Sequence, residues 1–132
     1  MSFSLGKKNK LCSPKLIDDV FASGSHVKSY PFVVRFKEAP LPDNTHFQIV
    51  FSAPKRTFRK AVQRNRIKRI CKESFRLQRA SLDTYLATHN KQIALFLVYT
   101  PQEELSVKQL EGKTKKLIDK IITQLESNDA KN

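Results

Sequence analysis

Between Pro54 and Arg79, 11 lysines and arginines stand against a single acid, Glu73. Cations at that density suit one chemistry, the binding of a polyanion. The whole chain carries +13, of which residues 1–53 supply +3 (7 basic, 4 acidic), while residues 80–132 balance to zero. The charge is a local footprint, which favours a phosphate backbone over general solubility. At about 100° per residue, the stretch Ala61–Arg79, AVQRNRIKRICKESFRLQR, reads as an amphipathic helix. Ile67, Ile70, Cys71, Ser74, Phe75 and Leu77 share one side. Arg64, Lys68, Arg69, Lys72, Arg76 and Arg79 share the other, with Asn65 among them, and Arg66 falls at the far edge of the apolar face. A solvated helix face ordinarily mixes signs so that i,i+4 pairs form. This one repeats one sign, and a polyanionic partner would offset the repulsion. Asn65 adds no Coulomb attraction, but its amide both donates and accepts hydrogen bonds, which neighbouring Arg and Lys do not.

Other chemistries find little support. His26, His46 and His89 are scattered, without metal-ligand spacing to Cys or carboxylate. The 12 acids form no cluster suited to a two-metal phosphodiester site, and Asp18–Asp19 point about 100° apart on a helix. Three glycines leave no phosphate-cradling loop. The aromatics are more suggestive. An exposed Phe21 beside basic groups would hold single-stranded nucleic acid, whereas a buried Phe21 would be core.

The elements that position these residues are legible in outline. Ser13 and Pro14 suit the cap and first turn of a short helix carrying Leu16, Ile17, Val20 and Phe21. Gly24 stands where a left-handed cap would end it. Residues 30–37, YPFVVRFK, and 46–53, HFQIVFSA, alternate as strands around the loop EAPLPDNT, and together they suggest an antiparallel pair. Phe32, Val34, Phe36, Phe47, Ile49 and Phe51 form an aromatic, core-facing side. Val33, Arg35, Gln48, Val50 and Ser52 form a mixed one. PKRTFRK then leads into the basic helix, and residues 80–90 read as a weaker helical turn. The run QIALFLVYT, 92–100, fits a strand buried on both faces. Ser106 and Gln109 resemble a capping box for a last helix whose outer face mixes Lys and Glu. The order α-β-β-α-β-α predicts a two-layer α/β (α+β) sandwich, a small mixed sheet with helices on its aromatic face.

Length predicts one domain, 1–132, with a basic N-terminal arm (1–12, bearing Lys7, Lys8 and Lys10) and a C-terminal tail (127–132) of low order. No run approaches a membrane span and no secretory h-region stands at the start, so a cytoplasmic protein with no membrane partner is expected. Cys12 and Cys71 make no disulfide framework, and Cys71 fits the buried side of the basic helix.

Arg64-Asn65-Arg66-Ile67-Lys68-Arg69, preceded by Ala61-Val62 and followed by Phe75-Arg76, closely resembles the "RNR" signature of the bacterial ribonuclease P protein subunit, A-V-x-R-N-R-x-K-R. Val20-Phe21-x-x-Gly24 resembles the family's V-F-x-x-G, with Phe32 following at the expected spacing. Ser52 with Lys55-Arg56 resembles its S-x-x-K-K. Three positions depart from the pattern. Thr57-Phe58-Arg59-Lys60 replaces a Gly-Asn connection. Ile17 stands where an aromatic is usual, and Arg35 where some members have one.

The resemblance implies a subunit of a ribonucleoprotein endoribonuclease that matures tRNA 5′ ends, whose catalytic RNA performs the hydrolysis with Mg²⁺ that the protein itself does not bind. It implies that Lys55, Arg56, Arg64, Asn65, Arg66, Lys68, Arg69, Lys72 and Arg76 face the catalytic RNA. It implies that Ile17, Phe21, Val33, Arg35, Val50 and Ser52 line a cleft for the 5′ leader of precursor tRNA. It also implies a left-handed β-α-β crossover, against the common rule. The alternative from another class is a structural ribosomal or RNA-chaperone protein with the same charge and no part in catalysis.

Overall fold

The computed structural model describes residues 9–11, 13–42 and 45–130. Lys7, Lys8 and Cys12, on which part of the expected basic arm and one thiol rest, lie outside them. The elements run α1 (Pro14–Ser23), β1 (Ser25–Ser29), β2 (Phe32–Glu38), β3 (Phe47–Ser52), α2 (Ala61–Gln78), α3 (Ala80–Thr88), β4 (Ile93–Tyr99) and α4 (Val107–Ala130). Beyond the expected order there is a strand, β1, and the turn region after the basic helix is a helix in its own right, α3.

The strands are ordered β1-β2-β4-β3. The expected antiparallel pairing of β2 with β3 does not occur. Their partner is β4, antiparallel to β2 and parallel to β3. β4 is the most continuously apolar strand, and the centre of the sheet removes most apolar surface from water. β3 and β4 are joined through α2 and α3, so the basic helix is part of a β-α-β crossover.

Alternation sorts the sheet as its sequence suggests. Phe32, Val34, Phe36, Phe47, Ile49, Ile93, Leu95, Leu97 and Tyr99 enter one large core with Ile67, Cys71 and Phe75 of α2, Leu82 and Leu86 of α3, and Leu110, Leu117, Ile118, Ile121 and Leu125 of α4. Each fully buried Phe, Leu or Ile there is worth about 1.5–3 kcal/mol. The capping box at α4 is formed. Ser106 N–H donates to Gln109 Oε1 at 2.8 Å, and Gln109 N–H donates to Ser106 Oγ at 3.1 Å. The helix runs past the expected fraying point at residue 127, and Asn128 Nδ2 ties it to Ser25 Oγ at 3.1 Å.

α1 is the exception to helices on the aromatic face. It lies across the opposite face, where Val20 and Leu11 are buried against Ala94 and where Leu16, Ile17, Val50 and Phe96 pack around them. Ser13 Oγ accepts from Leu16 N–H at 3.3 Å to start this helix. Gly24 ends it in an extended conformation, φ −77° and ψ 161°, not the left-handed cap expected. A Cβ here would meet Val20 O at 2.3 Å and Phe36 O at 2.8 Å. Glycine is needed for close approach, not for its dihedral freedom.

Candidate nucleic-acid interface

The roll of α2 decides which of its cations meet solvent. Ile67, Cys71, Ser74 and Phe75 are buried, and Ser74 Oγ shares a 2.7 Å buried hydrogen bond with Thr114 Oγ1 of α4. An unpaired hydroxyl at that depth would cost about 1–3 kcal/mol, so the pair fixes α2 against α4. Burial also pushes the Cys71 thiol up to about 12.

The outer face then divides into two sets. Lys68, Arg69, Lys72 and Asn65 are exposed and have no side-chain partner among the described residues. Lys55 and Arg56, in the turn after Pro54, are likewise exposed and unpaired. The other arginines are engaged. Arg64 Nη1 donates to the carbonyls of Phe58 and Arg59 at 2.8 and 2.9 Å. Arg66 Nε and Nη2 form a fork with Glu104 at 2.7 and 3.1 Å, which raises the guanidinium's pKa. Arg76 pairs with Glu73 one turn back, lowering that carboxyl's pKa. Arg79 pairs with Asp83 at 2.7 Å and lies over the Phe47 ring, 4.8 Å from its centroid.

These partners explain the connection that departs from the family pattern. Phe58 is buried in the core beside Tyr99, and its N–H donates to Pro54 O at 2.9 Å. An aromatic anchor and the Arg64 clasp therefore shape residues 54–60 without a glycine. Glu104 is presented by a second clasp, in which Tyr99 Oη donates to Glu103 O at 2.6 Å and accepts from Leu105 N–H at 3.0 Å.

The other expected site gathers on the open sheet face. In register, His26, Arg35, Phe96 and Val50 form one row across the four strands, and Lys28, Val33, Val98 and Ser52 form the next. α1 borders the first row. Phe21 is 44 % exposed, so it is not core. Its ring meets Phe96 edge-on at 4.7 Å, and the Arg35 guanidinium carbon stands 5.2 Å from its centroid. Ile17, one turn before Phe21 on α1, packs with Val50 and Phe96 around the buried Leu11, Val20 and Ala94. Phe21, Val33, Arg35, Val50 and Ser52 thus share one shallow surface with Ile17. Phe96 is the residue that sequence reasoning missed. Its signal was the alternation Ala94, Phe96, Val98 within a run read as buried on both faces.

An aromatic and guanidinium surface on one side of a small mixed sheet, and a helix with exposed cations packed on the other, are the features of an RNA-binding α+β protein. A family model described as Ribonuclease P matches residues 5–122. The chain is 26% identical over 131 residues to the ribonuclease P protein component of Porphyromonas gingivalis, covering 99% of this chain and 96% of that one. Against the same component of Nitrosococcus oceani it is 34% identical over 74 residues, 56% of this chain and 60% of that one. The fold is similar to the RNase P protein from Thermotoga maritima, with TM-score 0.65 at 17% identity, covering 84% and 96% of the two chains. It is also similar to that of Staphylococcus aureus, with TM-score 0.60 at 19% identity, covering 87% and 95%. The chain belongs to the ribonuclease P protein family, the accessory subunits of the ribonucleoprotein endoribonuclease that matures tRNA 5′ ends. The ribosomal or RNA-chaperone alternative is not favoured. No helix among the described residues is long and apolar enough to cross a membrane.

Proposed function

We propose that this protein divides two RNA contacts between its two surfaces. Lys68, Arg69, Lys72, Asn65, Lys55 and Arg56 face the catalytic RNA directly. Arg64, Arg66 and Arg76 support that face through their internal partners and reach phosphate at its margins. The sheet face with Phe21, Phe96, Arg35, Val33, Val50 and Ser52 takes the single-stranded leader of precursor tRNA, with Ile17 packed beside Val50 and Phe96. The observation that carries this reading is Phe21, half-exposed between a phenyl ring and a guanidinium. A base stacked on it gains contact with both an aromatic face and a cation. Arg35 supplies the flat surface that an aromatic would otherwise give.

Hydrolysis in this reading belongs to the RNA and its Mg²⁺. Among the described residues no three His, Cys, Asp or Glu side chains come together to hold an ion. The protein acts as a single domain in the cytoplasm, where it orients the leader and neutralises phosphate repulsion as the two RNAs approach.

The test is Phe21→Ala in enzyme reconstituted with its catalytic RNA at low Mg²⁺. Precursor tRNA should bind about 5- to 150-fold more weakly, the range for one base–aromatic stack, and mature tRNA should be unaffected. An equal effect on both tRNAs would end the cleft assignment.

A further inference from the structure

The most exposed aromatic ring among the described residues is not in the cleft. Tyr30 is 61 % exposed, at the turn from β1 to β2, and Lys113 of α4 stands with its Nζ 5.1 Å from the ring centroid. Tyr30 lies just beyond the row Lys28–Val33–Val98–Ser52, at the end of the sheet that α1 leaves open. On the far side of this edge is α4, whose Lys120 Nζ donates to the Lys28 carbonyl at 3.2 Å.

The charge on α4 is sorted by position. At about 100° per residue, Lys113, Lys116 and Lys120 fall within about 60° of one another on the flank toward β1. Glu111, Asp119 and Glu126 fall on the outer flank, where Lys108 and Lys115 offset two of the three charges. Asp119 is three residues past Lys116, yet neither forms an ion pair among the described residues. The mixed composition of the helix therefore conceals a single-sign stripe beside an exposed ring. α2 meets α4 on its buried side, through Thr114 about 100° round from Lys113, so the exposed stripe is not part of that contact.

We infer that the β1 edge, Tyr30 with Lys28, Lys113, Lys116 and Lys120, is a second single-stranded RNA site, which takes the 5′-ward part of a long leader as it leaves the cleft. The inference rests on the cleft reading above. Continuity chooses the occupant. From Ser52 to Lys28 the open row crosses three strand spacings, about 14 Å, enough for only a few nucleotides. A longer strand following that row meets Lys28, then the Tyr30 ring, then the stripe. The pairing of an aromatic face with unpaired cations is how single strands are held with little sequence preference.

The experiment uses reconstituted holoenzyme and precursor tRNAs with leaders of about 4 and about 16 nucleotides, the limits of common single-strand site sizes. Mature tRNA serves as the third ligand. Tyr30→Ala should weaken the long-leader substrate by about fivefold or more and leave the other two unchanged, while Tyr30→Phe retains binding. Replacing Lys113, Lys116 and Lys120 together by Ala should flatten the salt slope of the long-leader substrate by up to about two units. Unchanged long-leader binding in both variants would overturn the proposal, as would an equal loss on mature tRNA. Phe21→Ala separates the two readings. If it affects all tRNAs alike while Tyr30→Ala remains specific for the long leader, the cleft assignment fails and the edge site stands.

Discussion

Replacing Lys68, Arg69 and Lys72 together by Ala should remove the free cations of α2 without touching any bond that holds the fold. The three are exposed and unpaired among the described residues, so the melting temperature should hardly move. Self-repulsion on the helix would in fact fall. Each phosphate contact contributes about 0.7–0.9 to the slope of log affinity against log salt. Three contacts give about two to three units. Between about 50 and 200 mM salt that corresponds to roughly 20- to 40-fold less loss of affinity for the catalytic RNA than the parent suffers. Arg64→Ala is the contrasting perturbation. It removes charged hydrogen bonds to the carbonyls of Phe58 and Arg59, worth about 1.5 kcal/mol at the lower end for such bonds, and should lower stability more than slope. Filter binding across a salt series, beside thermal melts, measures both. A triple variant with the parental slope would refute the assignment of α2 to the RNA interface, however much its affinity changed at one salt concentration.

Three further outcomes are expected. Asn65→Ala should reduce activity of the assembled enzyme without lowering the melting temperature, because the amide is exposed and has no partner among the described residues; equal losses would make it structural. Cys71, with its thiol pushed up to about 12 by burial, should resist alkylation from neutral pH to about pH 9 in the folded protein and react readily in denaturant, and fast native-state labelling would contradict its packing. Gly24→Ala should destabilise by about 1–3 kcal/mol, the range for overpacking, because its Cβ would strike two backbone carbonyls, and an unchanged denaturant midpoint would show that α1 shifts without cost.

The readable parts of the chain were those set by local pattern. The helix of α2, the two faces of β2 and β3 and the capping box of α4 follow from spacing within about 20 residues. The sheet order did not follow. Nothing in YPFVVRFK or HFQIVFSA says that a strand more than 40 residues further on will insert between them. β1 was hidden because SHVKS has one large apolar residue, and it is a strand through pairing with β2 and cover from α4. The basic face was visible as a whole, but its division into free and engaged cations was not. Arg64 is set apart from Lys68 by the carbonyls of Phe58 and Arg59, offered by an irregular connection whose path the spacing does not give, and Arg66 by the carboxylate of Glu104, 38 residues away. The surface proposed for the leader was read from β2, β3 and α1, and Phe96, which stands in the row between Arg35 and Val50, came from the one strand whose outer face was not considered open.

The place of α2 within the β3-to-β4 crossover joins assembly to folding. The sheet closes only when β4 arrives between β2 and β3, and the chain that must be looped to bring it there carries +10 between Pro54 and Arg79. Repulsion along that loop opposes the compact arrangement at the moment closure entropy is being lost. An RNA that binds the finished helix face and not the open chain stabilises the folded protein by mass action, about 2.7 kcal/mol at a concentration a hundredfold above its dissociation constant. On the proposed assignment of α2 to the catalytic RNA, the residues that meet the partner also make it a contributor to the protein's own stability, and subunit supplied in excess of its RNA is the population most exposed to unfolding.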